Sequence, residues 1–347
     1  MAYTTINKSS DYFNTKLYTG NGSTNAITGV GFQPDWTWIK DRTNAYGHDI
    51  YDVIRGVTNR IQSNSSDGES TGVEGLKSFD SDGFTLGSYI GDNTNNANYA
   101  SWNWKANGQG SSNTDGSINT TYTSANTTSG FSIIEYTGNG TNNATIGHGL
   151  GVAPKILIGK CIGTTANWQV IGNTGVLTEG KYLSLNTNDA MGTSSNVSFD
   201  ASATTVKFQG GQGLNISGQP HIAYCFAEKT GFSKFGSYVG NGSSDGSFCY
   251  LGFKPAFIMI KSSSNAEGWW IVDDKRTTYN PTNNLLRADT SDAELVGNAN
   301  LKLDFLSNGF KLRQTDGALN GSGLSYIYMA FAEAPLVGTN NVPCTAR

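Results

Sequence analysis

Three histidines, His48, His148 and His221, and five glutamates, Glu135, Glu228, Glu267, Glu294 and Glu333, are the side chains of this chain best placed to carry acid–base chemistry. A glycosidase needs two carboxyl groups about 5 to 9 Å apart across the bond it cleaves. Glu228 and Glu333 close equivalent segments of a repeat, which points to a shared edge role and not to an acid/base pair. His48 takes the place that Trp168 and Trp269 hold in the other copies, and a general base has no reason to alternate with tryptophan. The Asp-Gly pairs at Asp67, Asp82, Asp115, Asp245 and Asp316 lack the spaced carboxylates and closing Glu of an EF-hand and read as turns. Cys161, Cys225, Cys249 and Cys344 stand far apart, without a Cys-x-x-Cys pair, and read as buried free thiols. No catalytic residue, metal site or cofactor is expected, and the chain reads as a non-enzyme.

Aromatic rings offer the other route to a site, because exposed rings stack on sugar faces. Trp36, Trp38, Trp102 and Trp104 fall where other copies have Ile, Phe, Met or Tyr, and so read as core. Trp168, Trp269 and Trp270 follow the polar loops at 163–167 and 262–268. They are the candidate ligand-binding residues, expected as glycan-stacking platforms. Asp52 with Arg55, and Asp273 with Arg276, are expected as local ion pairs that fix a turn, important only if buried.

The elements that position these residues are set by a threefold repeat. Tyr18-Thr-Gly-Asn21-Gly returns at Tyr136-Thr-Gly-Asn139-Gly and as Tyr238-Val-Gly-Asn241-Gly. Each copy has roughly 100 residues, the size of a small domain. Pro34, Pro154 and Pro255 each precede an apolar run that closes on Lys40, Lys160 or Lys261 at the same spacing. Short apolar runs, Asn-Gly and Asp-Gly turns, 44 Gly and little helical periodicity imply an all-β chain of three tandem β-sandwich units, jelly-roll or lectin-like. The Asn-Gly pairs are expected to form type I′ hairpins. The expected organisation is an N-terminal arm at 1–11, repeats at 12–105, 131–230 and 231–335, a Gly/Ser/Asn/Thr linker at 106–130, and a tail at 336–347. Repeats two and three are expected to pack as a pair.

A net charge of −4 without a Lys/Arg cluster gives nucleic acid no electrostatic hold. The Met1-Ala-Tyr-Thr-Thr-Ile start has no apolar export region, and no window reaches the length of a membrane span, so neither export nor membrane insertion is expected.

Several segments carry a family likeness: the Met1 start, Gly31-Phe32-Gln-Pro34-Asp-Trp36, Asp82-Gly-Phe-Thr-Leu86, Ala223-Tyr-Cys-Phe-Ala-Glu228, Gly231-Phe-Ser-Lys-Phe-Gly-Ser-Tyr238 and Tyr328-Met-Ala-Phe-Ala-Glu333. The chain resembles repeat-containing virion structural proteins of marine tailed bacteriophages. The resemblance implies a non-catalytic component of the virion exterior, assembled in the host cytoplasm. A tail fibre or tail-tip protein for host recognition and adhesion is the first expectation; capsid decoration, or a carbohydrate-binding module or depolymerase acting on host glycans, is the alternative. The implied partners are other virion proteins, a homo-oligomer (a trimer by analogy) and a host surface glycan. Unit two departs most, lacking the Asp-x-x-Arg pattern.

Overall fold

The computed structural model describes residues 3–194, 197, 199–208 and 213–335. Nearly all regular structure is antiparallel strand, and the same topology is written three times. In each unit a main sheet begins with an opening strand (Phe13–Thr19, Phe131–Thr137, Ser233–Val239) beside a closing strand (Asn98–Trp104, Pro220–Phe226, Ser325–Pro335). Next to the closing strand lies the lysine strand (Trp36–Asp41, Ile156–Cys161, Phe253–Ser262), then a fourth strand (His48–Asp52, Gln169–Gly172, Trp269–Asp273). Short fifth strands, Asn59–Gln62, Lys181–Tyr182 and Leu286–Arg287, follow outside the fourth, the one in unit two held to it by the single bridge Val170–Leu183; Ser70–Thr71 and Gly192–Thr193 pair beyond the first two. A three-stranded sheet, such as Asn25–Thr28 with Gly83–Leu86 and Leu76–Asp80, covers one face of each main sheet. All three units are thus β-sandwiches.

Alternation along the strands explains how these sandwiches meet. Leu157, Ile258 and Ile39 point into their own sandwich, each of which has its own apolar cluster. Their neighbours Ile156, Ile158, Phe257, Met259, Trp36 and Trp38 point the other way, into a single cluster shared by all three units. A two-layer sandwich covers only one face of its main sheet, so the unbroken apolar runs need this second cover. Rings interleave there: Trp36 on Tyr224 at 4.6 Å, Phe13 on Phe331 at 5.0 Å and Trp102 against Phe257 at 5.8 Å between centroids. All three units therefore converge, where only the second and third were expected to pair.

Two segments differ from expectation. In the stretch expected as a linker, Thr120–Asn126 forms a strand on the free edge of unit two's opening strand, and Ile118 is buried. Its threonines and Tyr122 favour extended chain, and the open edge supplies partners for its backbone. The arm is docked: Ile6 is buried in the shared core and Tyr3 Oη donates to the Gly252 carbonyl at 3.2 Å. The tail at 336–347, with Cys344, lies outside the described residues.

The Asn-Gly motifs are not hairpin turns either. They carry the chain from the main sheet to the small one, and only their glycines take positive φ (68°, 69° and 65° at Gly22, Gly140 and Gly242). Each motif instead docks on an asparagine the sequence did not single out. Asn320 Nδ2 donates to Asn241 Oδ1, Ser243 O and Gln314 O at 3.0, 2.8 and 2.7 Å, while the Asn241 backbone N–H donates back at 3.1 Å. Asn93 and Asn215 repeat the arrangement with Asn21 and Asn139. All three asparagines are fully buried, where an unpaired amide is costly.

Candidate functional site

The repeated polar residues are spent on joints between units. Lys40, Lys160 and Lys261 are fully buried, and each ammonium donates to the carbonyl of the next residue (Asp41, Cys161, Ser262) and to its own following loop. A further donation crosses to a neighbouring unit: Lys40 to Ser291 O in unit three, Lys160 to Ser66 O in unit one, Lys261 to Asn188 O in unit two. The joints run one to three, three to two and two to one, closing a ring. Burial pulls each lysine down to about 8, against nearby carboxylates and, for Lys160, the Cys161 thiol as well as Asp67. Main-chain bonds follow the same circuit, from Glu294 N to Arg42 O, Met191 N to Ser263 O and Glu69 N to Ile162 O.

The expected ligand platforms belong to these joints, which corrects their reading as exposed. Trp168 and Trp269 are buried in the shared core, their Nε1–H groups donating to Gln62 O and Ser184 O of the next unit at 2.9 Å each. Trp270, 7% exposed, faces its own sandwich. Polar loops precede all three, but the fourth strand is covered on both faces, so no ring lies open for a sugar to stack on. His48 stands at the same joint position: its Nδ1 accepts from Trp38 Nε1 at 2.9 Å, which leaves the proton on Nε2. That nitrogen meets no acceptor at strict hydrogen-bond geometry, although the Arg287 backbone is near enough to pull its pKa upward. Burial, the larger effect, holds His48 well below the usual imidazole range, so it stays neutral.

The two ion pairs are buried and also cross joints. Arg55 Nε meets Asp52 Oδ2 at 2.6 Å, and Tyr224 of unit two donates to that same oxygen at 2.7 Å. In unit three Arg276 meets Asp273 at 2.6 Å and Glu294 at 2.8 Å, and Trp102 of unit one donates to Asp273 at 3.1 Å. Unit two lacks all of this together. Gly172 and Gly175 stand at the Asp and Arg places, Met191 at that of Glu69 and Glu294, and Met329 at that of Trp102 and Tyr224. Val176 fills the space a side chain at Gly172 would need.

Among the remaining candidates, Glu294 is consumed by Arg42 and Arg276, and Glu333 pairs with Lys254. His148 and His221 bond nearby backbone, and burial lowers both, His221 to about 4. Gly68-Glu-Ser70-Thr-Gly72 and Gly242-Ser-Ser244-Asp-Gly246 spell a nucleophile-elbow pattern, but neither sits on the strand-to-helix turn that such an elbow requires. Cys161, Cys225 and Cys249 are buried and unpaired. Among the described residues no group of three or more His, Cys, Asp or Glu could hold a metal, and no helix is long and apolar enough to cross a membrane.

The fourth-strand position next to the joint ring, which faces away from the shared core, is held by Asp49, Gln169 and Trp270, of which the sequence singled out only Trp270. Asp49 is capped by Gln62 Nε2 at 2.8 Å and by Arg60 at 3.3 Å. Its other oxygen adjoins buried Asp92, which accepts from Tyr51 Oη at 2.6 Å. Burial raises both carboxyls, and the neighbouring Asp49 charge raises Asp92 further. Two carboxyls in contact are too close to flank a glycosidic bond. Over Trp270 lies the Arg287 guanidinium, 5.5 Å from the ring centre. Gln169 has no such cap; beside it opens a cavity of about 380 Å³.

A family model described as a domain of unknown function (DUF7483) matches residues 8–335, whereas no curated protein and no solved structure matches the chain.

Proposed function

The chain belongs to the DUF7483 family over nearly its whole length, and from that premise we propose that it is a non-catalytic structural and display protein of the exterior of a bacteriophage particle. The observation that supports this reading is the closed ring of joints. The recurring lysines, buried Asp–Arg pairs and joint-position rings are all committed to holding three sandwiches together. Such a body offers rigidity, and loops at its surface for recognition. We place it first at the tail, as a fibre or tip protein for host adhesion, with capsid decoration as the second position. Its partners on this reading are other virion proteins, further copies of itself as a homotrimer, and a host-surface glycan.

Imaging purified particles tests the reading. Density for the three-lobed body at the tail favours adhesion, density on the capsid lattice favours decoration, and absence of the protein from particles removes both. Light scattering of the isolated chain, at 36.9 kDa or three times that mass, tests the trimer.

A further inference from the structure

Three copies of one fold allow the units to be compared position by position. On the fourth strand, Asp49, Gln169 and Trp270 are equivalent, and each faces a residue of the fifth strand. Asp49 pairs with Gln62 and Trp270 with Arg287, while the Val170–Leu183 bridge sets Gln169 opposite Ser184. Gln62 is long enough to donate to Asp49, and Arg287 to lie across Trp270. Serine is too short to reach Gln169, so the place filled by protein in units one and three stays open in unit two.

The opening is built. Gln169 is 6% exposed, yet its Oε1 meets no donor. A buried amide oxygen without a partner is unfavourable, and a ligand hydroxyl donating to it would offset that penalty. Around it stand the Asn167 amide, the Ser184 hydroxyl, the Asp189 carboxylate and the Tyr182 ring. Gly192 gives that ring its room, since a Cβ there would fall 2.5 Å from it. No lysine or arginine is among the described residues lining the cavity, which disfavours phosphate, sulfate or carboxylate ligands. Amide, hydroxyl and carboxylate groups beside an aromatic ring match a neutral molecule rich in hydroxyls, each of which both donates and accepts.

We infer that unit two carries a saccharide-binding site in which Gln169 accepts from a sugar hydroxyl and Tyr182 flanks the ring. This deepens the display reading and rests on it for its biological setting, but not for its chemistry. It also relocates the glycan contact away from Trp168 and Trp269, whose rings are closed in the joints.

The test uses the full chain and a panel of neutral malto-, cello-, xylo-, manno- and chito-oligosaccharides, read by saturation-transfer NMR and titration calorimetry. At least one series should bind, and Gln169→Leu should weaken it tenfold or more. Ser184→Gln, which copies the cap of unit one, should do the same while the urea midpoint holds or rises. Binding by neither the panel nor its individual members overturns the site, as does parent-like affinity in both variants. Preference for sialylated or sulfated oligosaccharides would overturn the assigned ligand class. Because the assay needs no particle, its failure is separate from absence of the protein from virions.

Discussion

Arg276→Met should be among the most damaging single changes in this protein. Arg276 lies between Asp273 and Glu294, with all three side chains at or below 2% exposure, and its Nη2 also donates to the Ile271 carbonyl at 2.9 Å. Removing it strands the Asp273 carboxylate in the interior, retaining only backbone donors and Trp102 Nε1. Breaking one partner out of a buried pair costs about 3–5 kcal/mol, because the uncompensated charge remains. Glu294 keeps Arg42, so the loss is expected near 4 kcal/mol in this range. Replacing the whole cluster should behave differently. Asp273→Leu, Arg276→Met, Glu294→Met and Trp102→Phe together imitate the apolar joint around Met191 and Met329, and well-packed apolar substitutes for buried ion clusters are often neutral or stabilising. The quadruple variant should recover to within about 2 kcal/mol of the parent. Urea unfolding followed by tryptophan fluorescence and circular dichroism measures both. A loss under about 1 kcal/mol for Arg276→Met, or a quadruple variant weaker than the single one, would refute the account of the joints.

Other outcomes follow from the same geometry. The three ring lysines have folded pKa values near 8, below their unfolded value, so the unfolded chain binds more protons above pH 8 and stability should rise from there toward pH 10. The rise should be on the order of 2 kcal/mol per lysine, and Lys160→Met should shallow it by about a third. Above pH 10 the trend should reverse, because Tyr18, Tyr51, Tyr136, Tyr224 and Tyr238 are raised by burial, and their stabilising contribution is lost as pH climbs through the folded values. Asp92→Asn should stabilise the protein at pH 7 by about 1–2 kcal/mol, since the amide supplies the donor that a second carboxylate lacks. That gain should fade below pH 4, where the acid is protonated in both states, as urea midpoints at the two pH values will show. Asn320→Ala should cost about 3 kcal/mol by the same assay, since its side chain makes three hydrogen bonds to the Asn241 loop and a fourth to Gln314 O.

The sandwich class and its threefold repetition were legible because they depend on local pattern. The spacing from Pro34 to Lys40 to His48, repeated at Pro154 and Pro255, marks the same strands in each unit. The unbroken run at Phe257-Ile258-Met259-Ile260 is apolar at every position because both faces are covered, but its second cover lies far away in the chain, on the rings of other units. For the same reason Trp168 and Trp269 were misread: a polar loop before a ring says nothing about the carbonyl that awaits its Nε1 in another unit. Thr120–Asn126 looked like linker because serine and threonine dominate it, whereas an open sheet edge decides its conformation. Asn93, Asn215 and Asn320 escaped notice amid so many asparagines, although each sits in the turn before its closing strand. Gln169 could have been found only by aligning the fourth strands and asking why the floor residue differs in every copy.

Joining the three sandwiches in one polypeptide has a consequence for how such a body can change. In an assembly of identical subunits, a single codon alters every contact around the axis at once. Here the joint at Met191 and Met329 is apolar while the other two are ionic, and Ser184 leaves open a hollow beside Gln169. A duplicated gene thus lets two thirds of the ring guard its shape while the remaining third is free to acquire something new.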